Sequence, residues 1–271
     1  MKKIFFHLFV IIAIGLMGGF FAETDHACAE EAIRYAGSNQ IYKAFDSELI
    51  PAFSKATGVR VQVKTSSSGS AFYRLMNGYS DIASIARKLY RKHEDYGYIQ
   101  IPFCKDPLAV ITSSKCGVDN LTESQVQDIF SGDIVNWKEI GGRDLPILVV
   151  VPEEDTAANK NFRRQVMRHK EITYAFSAYD STMAIEAIKS LPVGAVSFIA
   201  NGAISHEAQI KTVKIDGRLP TDGDYPYFQI FYYVTRGKPE GSLKAFIDFA
   251  FSKTGKEIMQ RNGMLPLPDP R

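Results

Sequence analysis

Two short polar loops hold the densest run of small hydrogen-bonding residues in this chain, Gly37-Ser38-Asn39-Gln40 and Thr65-Ser66-Ser67-Ser68-Gly69-Ser70. Each follows a short apolar run and precedes residues of helical periodicity, which places it at the carboxyl end of a strand and the amino end of a helix. A helix start presents N–H groups with no intrahelical acceptor, and serine hydroxyls add donors without bulk. That is chemistry for holding an oxyanion. Either loop alone serves equally well as a cap or turn. The patterns of the common catalysts are missing: there is no Gly-x-Ser-x-Gly elbow, no Ser-x-x-Lys, no His-Glu-x-x-His and no phosphate loop. No Cys-x-x-Cys pair or Cys and His cluster offers a zinc site, so neither a metal nor another cofactor is expected.

The strands and helices that carry these loops are legible from periodicity. Ile33-Arg34-Tyr35-Ala36 reads as a strand; Ile41, Phe45, Leu49, Ile50 and Phe53 fall on one helical face closed by Gly58. Val59 to Val63 alternates as a strand with one buried face. After the serine loop, Phe72, Leu75 and Met76 begin a helix ended by Gly78. This βαβα order predicts an α/β fold with a mainly parallel sheet. Asp106 to Thr112 reads as a buried strand; an extended segment there holds Cys104 and Cys116 too far apart for a disulfide, so two unpaired buried thiols are expected. Trp137, the tyrosines Tyr90, Tyr96 and Tyr98, and those from Tyr225 to Tyr233 are read as packing residues. The basic runs Arg87-Lys88, Arg91-Lys92-His93, Arg163-Arg164 and His169-Lys170 are read as solvated faces.

With 271 residues and average globular composition the chain can bury a full core, and a formal net charge of +2 leaves no basic field for a nucleic-acid backbone. Lys2 and Lys3, the apolar stretch from Ile4 to Ala22 broken only by His7, and Ala27-Cys28-Ala29 together read as a secretory signal peptide cut after Ala29. A membrane anchor and lipid attachment at Cys28 are the alternatives. Cleavage leaves 271 − 29 = 242 residues, expected to be soluble.

Further along lie Asp81-Ile82-Ala83 through Arg87, the stretch Leu121-Thr122 to Asn136-Trp137 with Ile129-Phe130-x-Gly132 inside it, Gly194-Ala195-Val196, Tyr225-Pro226, and a closing Gly255 to Pro266 segment. With the Gly37-Ser38 turn and Ser68-Gly69-Ser70, in this order through nearly all of the mature chain, they resemble the phosphate-binding periplasmic solute-receptor family of ABC importers. The resemblance implies a two-lobe periplasmic binding protein-like fold, each lobe a mainly parallel sheet flanked by helices, joined by two crossing strands. Residues 1–29 are then the signal peptide, 30–105 plus 224–271 one lobe and 106–223 the other, with hinges near Ile101 to Pro107 and Asp222 to Phe228. It also implies a small oxyanion ligand, phosphate foremost, and a monomer in the periplasm that serves an ABC permease in the inner membrane, with no catalysis. Carried over to this sequence, the ligand contacts are Ser38, Asn39 and Gln40, then Ser68, Gly69 and Ser70, then Arg87, and then Asp155 and Thr156. The last region departs from the family's pattern: Pro152 stands at the place of an arginine, Ala157-Ala158 at a Gly-Thr pair, and Gln229 at a common arginine position. That departure sustains an alternative, a receptor-fold sensor or accessory protein whose cleft takes another ligand or a protein partner.

Overall fold

Ile33 to Ala36 extend as expected into strand β1 (Ile33–Ser38), and a computed structural model describes the chain over residues 32–168, 170–191, 193–204 and 210–271. The leader, with Cys28 and the Ala29 cleavage site, lies outside the described residues, as does His169. After β1 come α1 (Asn39–Ile41), a π-helical turn (Tyr42–Asp46) and α2 (Ser47–Thr57), which bury Ile41, Phe45, Leu49, Ile50 and Phe53 and end on Gly58 at φ 78°. Next follow β2 (Val61–Ser66), α3 (Ser68–Met76), β3 (Ile82–Ile85), α4 (Arg91–Asp95) and the long β4 (Tyr98–Ser113). Then come β5 (Asn120–Leu121), α5 (Glu123–Ser131), β6 (Ile147–Pro152), α6 (Ala157–Gln165), β7 (Phe176–Ala178), α7 (Ser181–Ser190), β8 (Gly194–Ala200) and β9 (Ile210–Ile215). The chain closes with β10 (Phe228–Arg236), α8 (Gly241–Phe251), α9 (Lys253–Arg261) and β11 (Leu265–Pro266).

The sheet order is β2-β1-β3-β10-β4-β8-β6-β7, with β11 and β9 also on β4 and β5 on β9. The outer strands are parallel, β2-β1-β3 on one side and β8-β6-β7 on the other. Between them β10 runs antiparallel to both β3 and β4, and β4 antiparallel to β8. The sheet is therefore mixed, with its parallel sets outside the crossing strands. At ~3.3 Å per residue, the 16 residues of β4 reach through both halves. Up to Pro107 it pairs with β10; from Leu108 it pairs with β8. Its side chains alternate there, Leu108 and Val110 into one core with Phe130, Trp137, Phe162 and Phe198, Ala109 and Ile111 into another with Val150, Ile188 and Ile199. The first half has its own pair of cores, one around Phe45, Phe53, Phe103 and Phe246, one around Phe72, Leu75 and Ile85.

Several local expectations change. β2 begins at Val61 rather than Val59 and takes in Thr65 and Ser66, because the parallel ladder with β1 continues to Ser38 opposite Ser66 whatever the side chains. As the edge strand it leaves Val61 and Val63 only half-buried. Tyr98, Tyr225, Tyr227 and Tyr233 are buried, but Tyr90 and Tyr96 are 65% and 77% exposed, since they flank α4, a short helix with no buried residue. Cys104 and Cys116 are buried free thiols in different cores. The Leu121 to Trp137 motif is a folding cassette. A Thr122–Gln125 capping box starts α5, Gly132 ends it at φ 88°, and Trp137 buries its ring while donating from Nε1 to the Gly194 carbonyl at 2.8 Å.

One buried polar cluster organises the first half. The π turn aims the carboxylate of Asp46 into the core, where it accepts from Tyr35 Oη and, at 2.7 Å, from Tyr233 Oη; Ser84 Oγ is bonded to the same Tyr35 hydroxyl. Gly37 makes this possible: it shares a face of β1 with Tyr35, and any Cβ there would overlap the Tyr35 ring. Burial is the largest influence on Asp46 and raises its pKa from 3.8 to about 6, against the three hydroxyls that lower it. The folded chain therefore holds a proton that the unfolded chain releases between about pH 4 and pH 6, so stability from this group rises as pH falls through that window and is least near neutrality. Asp46→Asn should remove this slope, which a shift of this size makes worth about 3 kcal/mol over the whole window and a little under half of that between pH 7 and pH 5; urea unfolding of wild type and variant at those two pH values reads it, and equal slopes would contradict it.

Candidate functional site

The carboxyl ends of β1, β2 and β3 lie side by side, with Ser38 opposite Ser66 and Gly37 opposite Ser84. Ligands commonly bind at this edge of a parallel sheet. The register therefore brings both polar loops and Arg87 to one edge. The cap of α3 is Ser67, not Ser68: its Oγ accepts the Ser70 N–H at 3.1 Å and its carbonyl accepts the Ala71 N–H. This leaves the N–H groups of Ser68 and Gly69 as the open donors of that helix start. Ser68 instead uses Oγ to accept the Ala86 N–H at 3.1 Å, tying the start of α3 to the residue before Arg87. Gln100 fixes the next segment, donating to the Arg87 carbonyl at 2.8 Å and accepting the Leu89 N–H at 3.0 Å. The guanidinium of Arg87 is exposed and has no ion pair or hydrogen bond among the described residues. Gly69 and Ser70 are exposed as well.

The first loop divides its labour. Ser38 is buried without a capping bond from its side chain, and Asn39 is exposed. Gln40 is drawn away, its side chain hydrogen-bonded to Asp106.

The β6–α6 segment is closed on itself. Thr156 caps α6, with Oγ1 accepting the Asn159 N–H at 3.2 Å and donating to the Glu153 carbonyl at 2.7 Å. Asp155 is fully exposed and pairs with Lys160 at 3.0 Å. Asn159 is buried, donating to the Pro152 carbonyl at 2.6 Å and accepting from Arg163 Nε at 2.9 Å, while Arg163 pairs with Glu154 at 3.2 Å. Arg163 is thus an internal brace rather than part of a solvated face. Ala158 belongs to the second half's core, while Ala157 packs against the first half's core. No described bond joins Asp155 or Thr156 to the group at Ser68 and Arg87.

Asp106 is the functional candidate that sequence reasoning passed over. It lies fully buried in β4 opposite Gln229. Its Oδ1 accepts the Gly202 N–H at 2.9 Å and its Oδ2 accepts from Gln229 Nε2 at 3.0 Å, with Gln40 a further donor. Burial is the largest influence and raises its pKa from 3.8 to about 6. A charge inside the apolar run Ile101 to Thr112 was the available signal, since an unpaired charge is not tolerated in a core strand. Two more links cross between the halves: Gln165 exchanges hydrogen bonds with both the N–H and the carbonyl of Phe228, and Lys43 reaches Asp180 at 3.8 Å. Among the described residues no group of His, Cys, Asp and Glu could hold a metal ion. Asp106→Ala would leave the Gly202 N–H and both glutamine amides without their acceptor; we expect a loss of about 3 kcal/mol or more in urea unfolding, against a change within error if the carboxylate carries no structural load.

Comparisons with known proteins bear on the family and the fold. The chain is 25% identical to the phosphate-binding protein PstS of Borreliella burgdorferi, over 87% of this chain and 90% of that one. It is 26% identical to PstS of Bacillus subtilis, over 60% of this chain and 55% of that one, so this match spans about half the length of the relative. Among solved structures it superimposes on a putative phosphate ABC transporter substrate-binding protein with bound phosphate from Clostridium perfringens. The TM-score is 0.72 at 24% identity, over 88% of this chain and 100% of that one, a likeness of fold. Residues 22–254 match the model of the PBP superfamily domain, and with the crossing strands and the loop edge in place the chain belongs to the PBP superfamily.

Proposed function

We propose that the protein is a solute receptor that clamps a small oxyanion, phosphate foremost, between two lobes and hands it to an ABC permease in the inner membrane. One lobe comprises residues 30–105 with 224–271 and the other residues 106–223; β4 and β10 form the hinge. The protein works in the periplasm as a monomer after cleavage behind Ala29, without cofactor, nucleic acid or turnover. No helix among the described residues is long and apolar enough to cross a membrane, which is compatible with this reading.

The observation that carries the reading is Arg87, exposed and without a side-chain partner among the described residues, on a segment that the Ser68–Ala86 bond ties to the start of α3. Phosphate in a cleft needs balanced charge and donors for nearly every oxygen. Arg87 brings one positive charge, and a helix start acts as roughly half a charge more. The N–H groups of Ser68 and Gly69 with the hydroxyl of Ser70 supply the oriented donors.

A second reading rests on the β6–α6 segment. Pro152 has neither an N–H nor a charge, and Thr156, Asn159 and Arg163 use their polar atoms on one another. A cleft wall of this kind suits a sensor or accessory protein that takes another ligand or a protein partner. Titration calorimetry of the purified protein with phosphate and sulfate separates the two. On the first reading phosphate binds and Arg87→Ala weakens it by about 100-fold or more, the cost of removing one partner of a hydrogen-bonded charge pair. If neither anion binds at about 1 mM, a free-energy threshold of roughly 4 kcal/mol, the second reading replaces it.

A further inference from the structure

Asp106 is fully buried, and its donors come from both proposed lobes and from the strand between them. Gln40 belongs to the first lobe, Gly202 to the second and Gln229 to the crossing strand β10. Ala44 and Met264 of the first lobe close over Gly202, where an added Cβ would lie 3.1 and 3.4 Å from them. The groups around the carboxylate bring no countercharge. Gln40, Asn201, Gly202 and Gln229 are neutral. Lys105, next along β4, lays its Nζ over the Phe228 ring, 4.3 Å from the centre, and Lys43 reaches to Asp180. The ionisable neighbour is Cys104, a thiol that burial first, then Asp106 and Asp46, hold well above its ordinary pKa.

The carboxylate is therefore held by dipoles alone. Such donors do not recover the whole of a lost hydration shell, so burial disfavours the charged form. That is why its pKa stands at about 6 rather than 3.8. Gln229 suits either form. Its Nε2 donates to the carboxylate; its Oε1, buried and without a partner among the described residues, is an acceptor for the acid's O–H once the amide turns over. Moving the lobes apart must part Asp106 from Gln40 or from Gly202, and water then takes the vacated place.

On the two-lobe reading, and whatever the ligand, we infer that Asp106 is a proton-sensitive latch: a proton on its carboxyl favours the closed arrangement of the lobes, and loss of that proton favours opening. The sign follows from hydration. The pKa is raised while the lobes are closed and returns toward 3.8 once water reaches the carboxylate. Closure is strongest below about pH 4, weakens as pH rises through about 6, and is least above neutrality. The whole effect is on the order of a hundredfold in the ratio of closed to open protein, of which about tenfold falls between pH 7.5 and pH 5.

Amide hydrogen exchange in the ligand-free protein reads this ratio even when the open form is scarce. Two N–H groups are held across the lobes, Gly202 by Asp106 and Phe228 by Gln165 Oε1 at 3.0 Å. Lobe opening releases both, whereas fraying of the turn after β8 releases Gly202 alone. Asp46→Asn is the background, because it removes the other buried carboxyl that titrates in this range. We expect both N–H groups to exchange faster than the β1 ladder, and their protection, corrected for intrinsic exchange, to rise about tenfold from pH 7.5 to pH 5. Adding Asp106→Asn, which keeps the shape without the charge, should flatten the profile at Phe228. The Asp106 carboxyl carbon, followed by NMR, should titrate near pH 6, which keeps the test valid should the double variant fold poorly. Protection indifferent to pH, a change confined to Gly202, exchange no faster than the β1 ladder, a profile that survives Asp106→Asn, or a carboxyl that titrates near its ordinary 3.8 would each overturn the latch. No ligand is present, so these outcomes are independent of the phosphate calorimetry.

Discussion

The carboxylate of Asp106 is where the two halves of this molecule are fastened. Taking a charge out of water costs several kcal/mol unless hydrogen bonds replace its hydration. The replacements come from three separated segments: Gln40 at the start of α1, Gln229 on β10, and Gly202 in the turn after β8. None of these can shift alone without exposing a buried charge to an incomplete set of donors. The position matters as much as the chemistry, because β4 leaves the β10 ladder at Pro107 and joins β8 at Leu108, immediately beyond it. Gly202 also packs closely here, with room beside Ala44 and Met264 for no bulky side chain.

The loop edge takes its geometry from the register of the first three strands. With β1, β2 and β3 in parallel register, their carboxyl ends set Ser38, Ser66 and Arg87 along one line, and the Ser68–Ala86 bond draws α3 onto it. The β6–α6 segment is built differently. Thr156 caps α6 as Ser67 caps α3, but the side chains of Asn159 and Arg163 satisfy one another, and Ala157 turns a methyl toward the first half's core. The two segments differ in charge: Arg87 has no ion pair among the described residues, while Asp155 pairs with Lys160 and Glu154 with Arg163.

Much of this is legible in local pattern. The order of strands and helices follows from periodicity, the two thiols stay apart because the segment between them is extended, and Trp137 is recognisable as a core residue. The caps are legible in type but not in position. Ser67 and Ser68 are indistinguishable as residues, and only the point at which the β1–β2 ladder stops decides which of them begins the helix. Likewise Arg163 sits in a basic run that reads as solvated, yet Asn159, one helical turn away, and Glu154 hold it in place.

The class of fold, the existence of two polar helix starts and the family's motif order are all written in the amino-acid order, because each depends on spacing along one strand or one helix. Which polar groups remain free is settled only when the chain is folded. Gln40 is spent on Asp106, Thr156 on its own helix and Ser68 on Ala86, while Arg87 keeps open donors. Hydrogen bonding is a matter of a partner within about 3 Å in the right direction, and apart from the local cap of Thr156 such partners come from separate segments, Ala86 for Ser68 and Asp106 for Gln40, which no local pattern encodes.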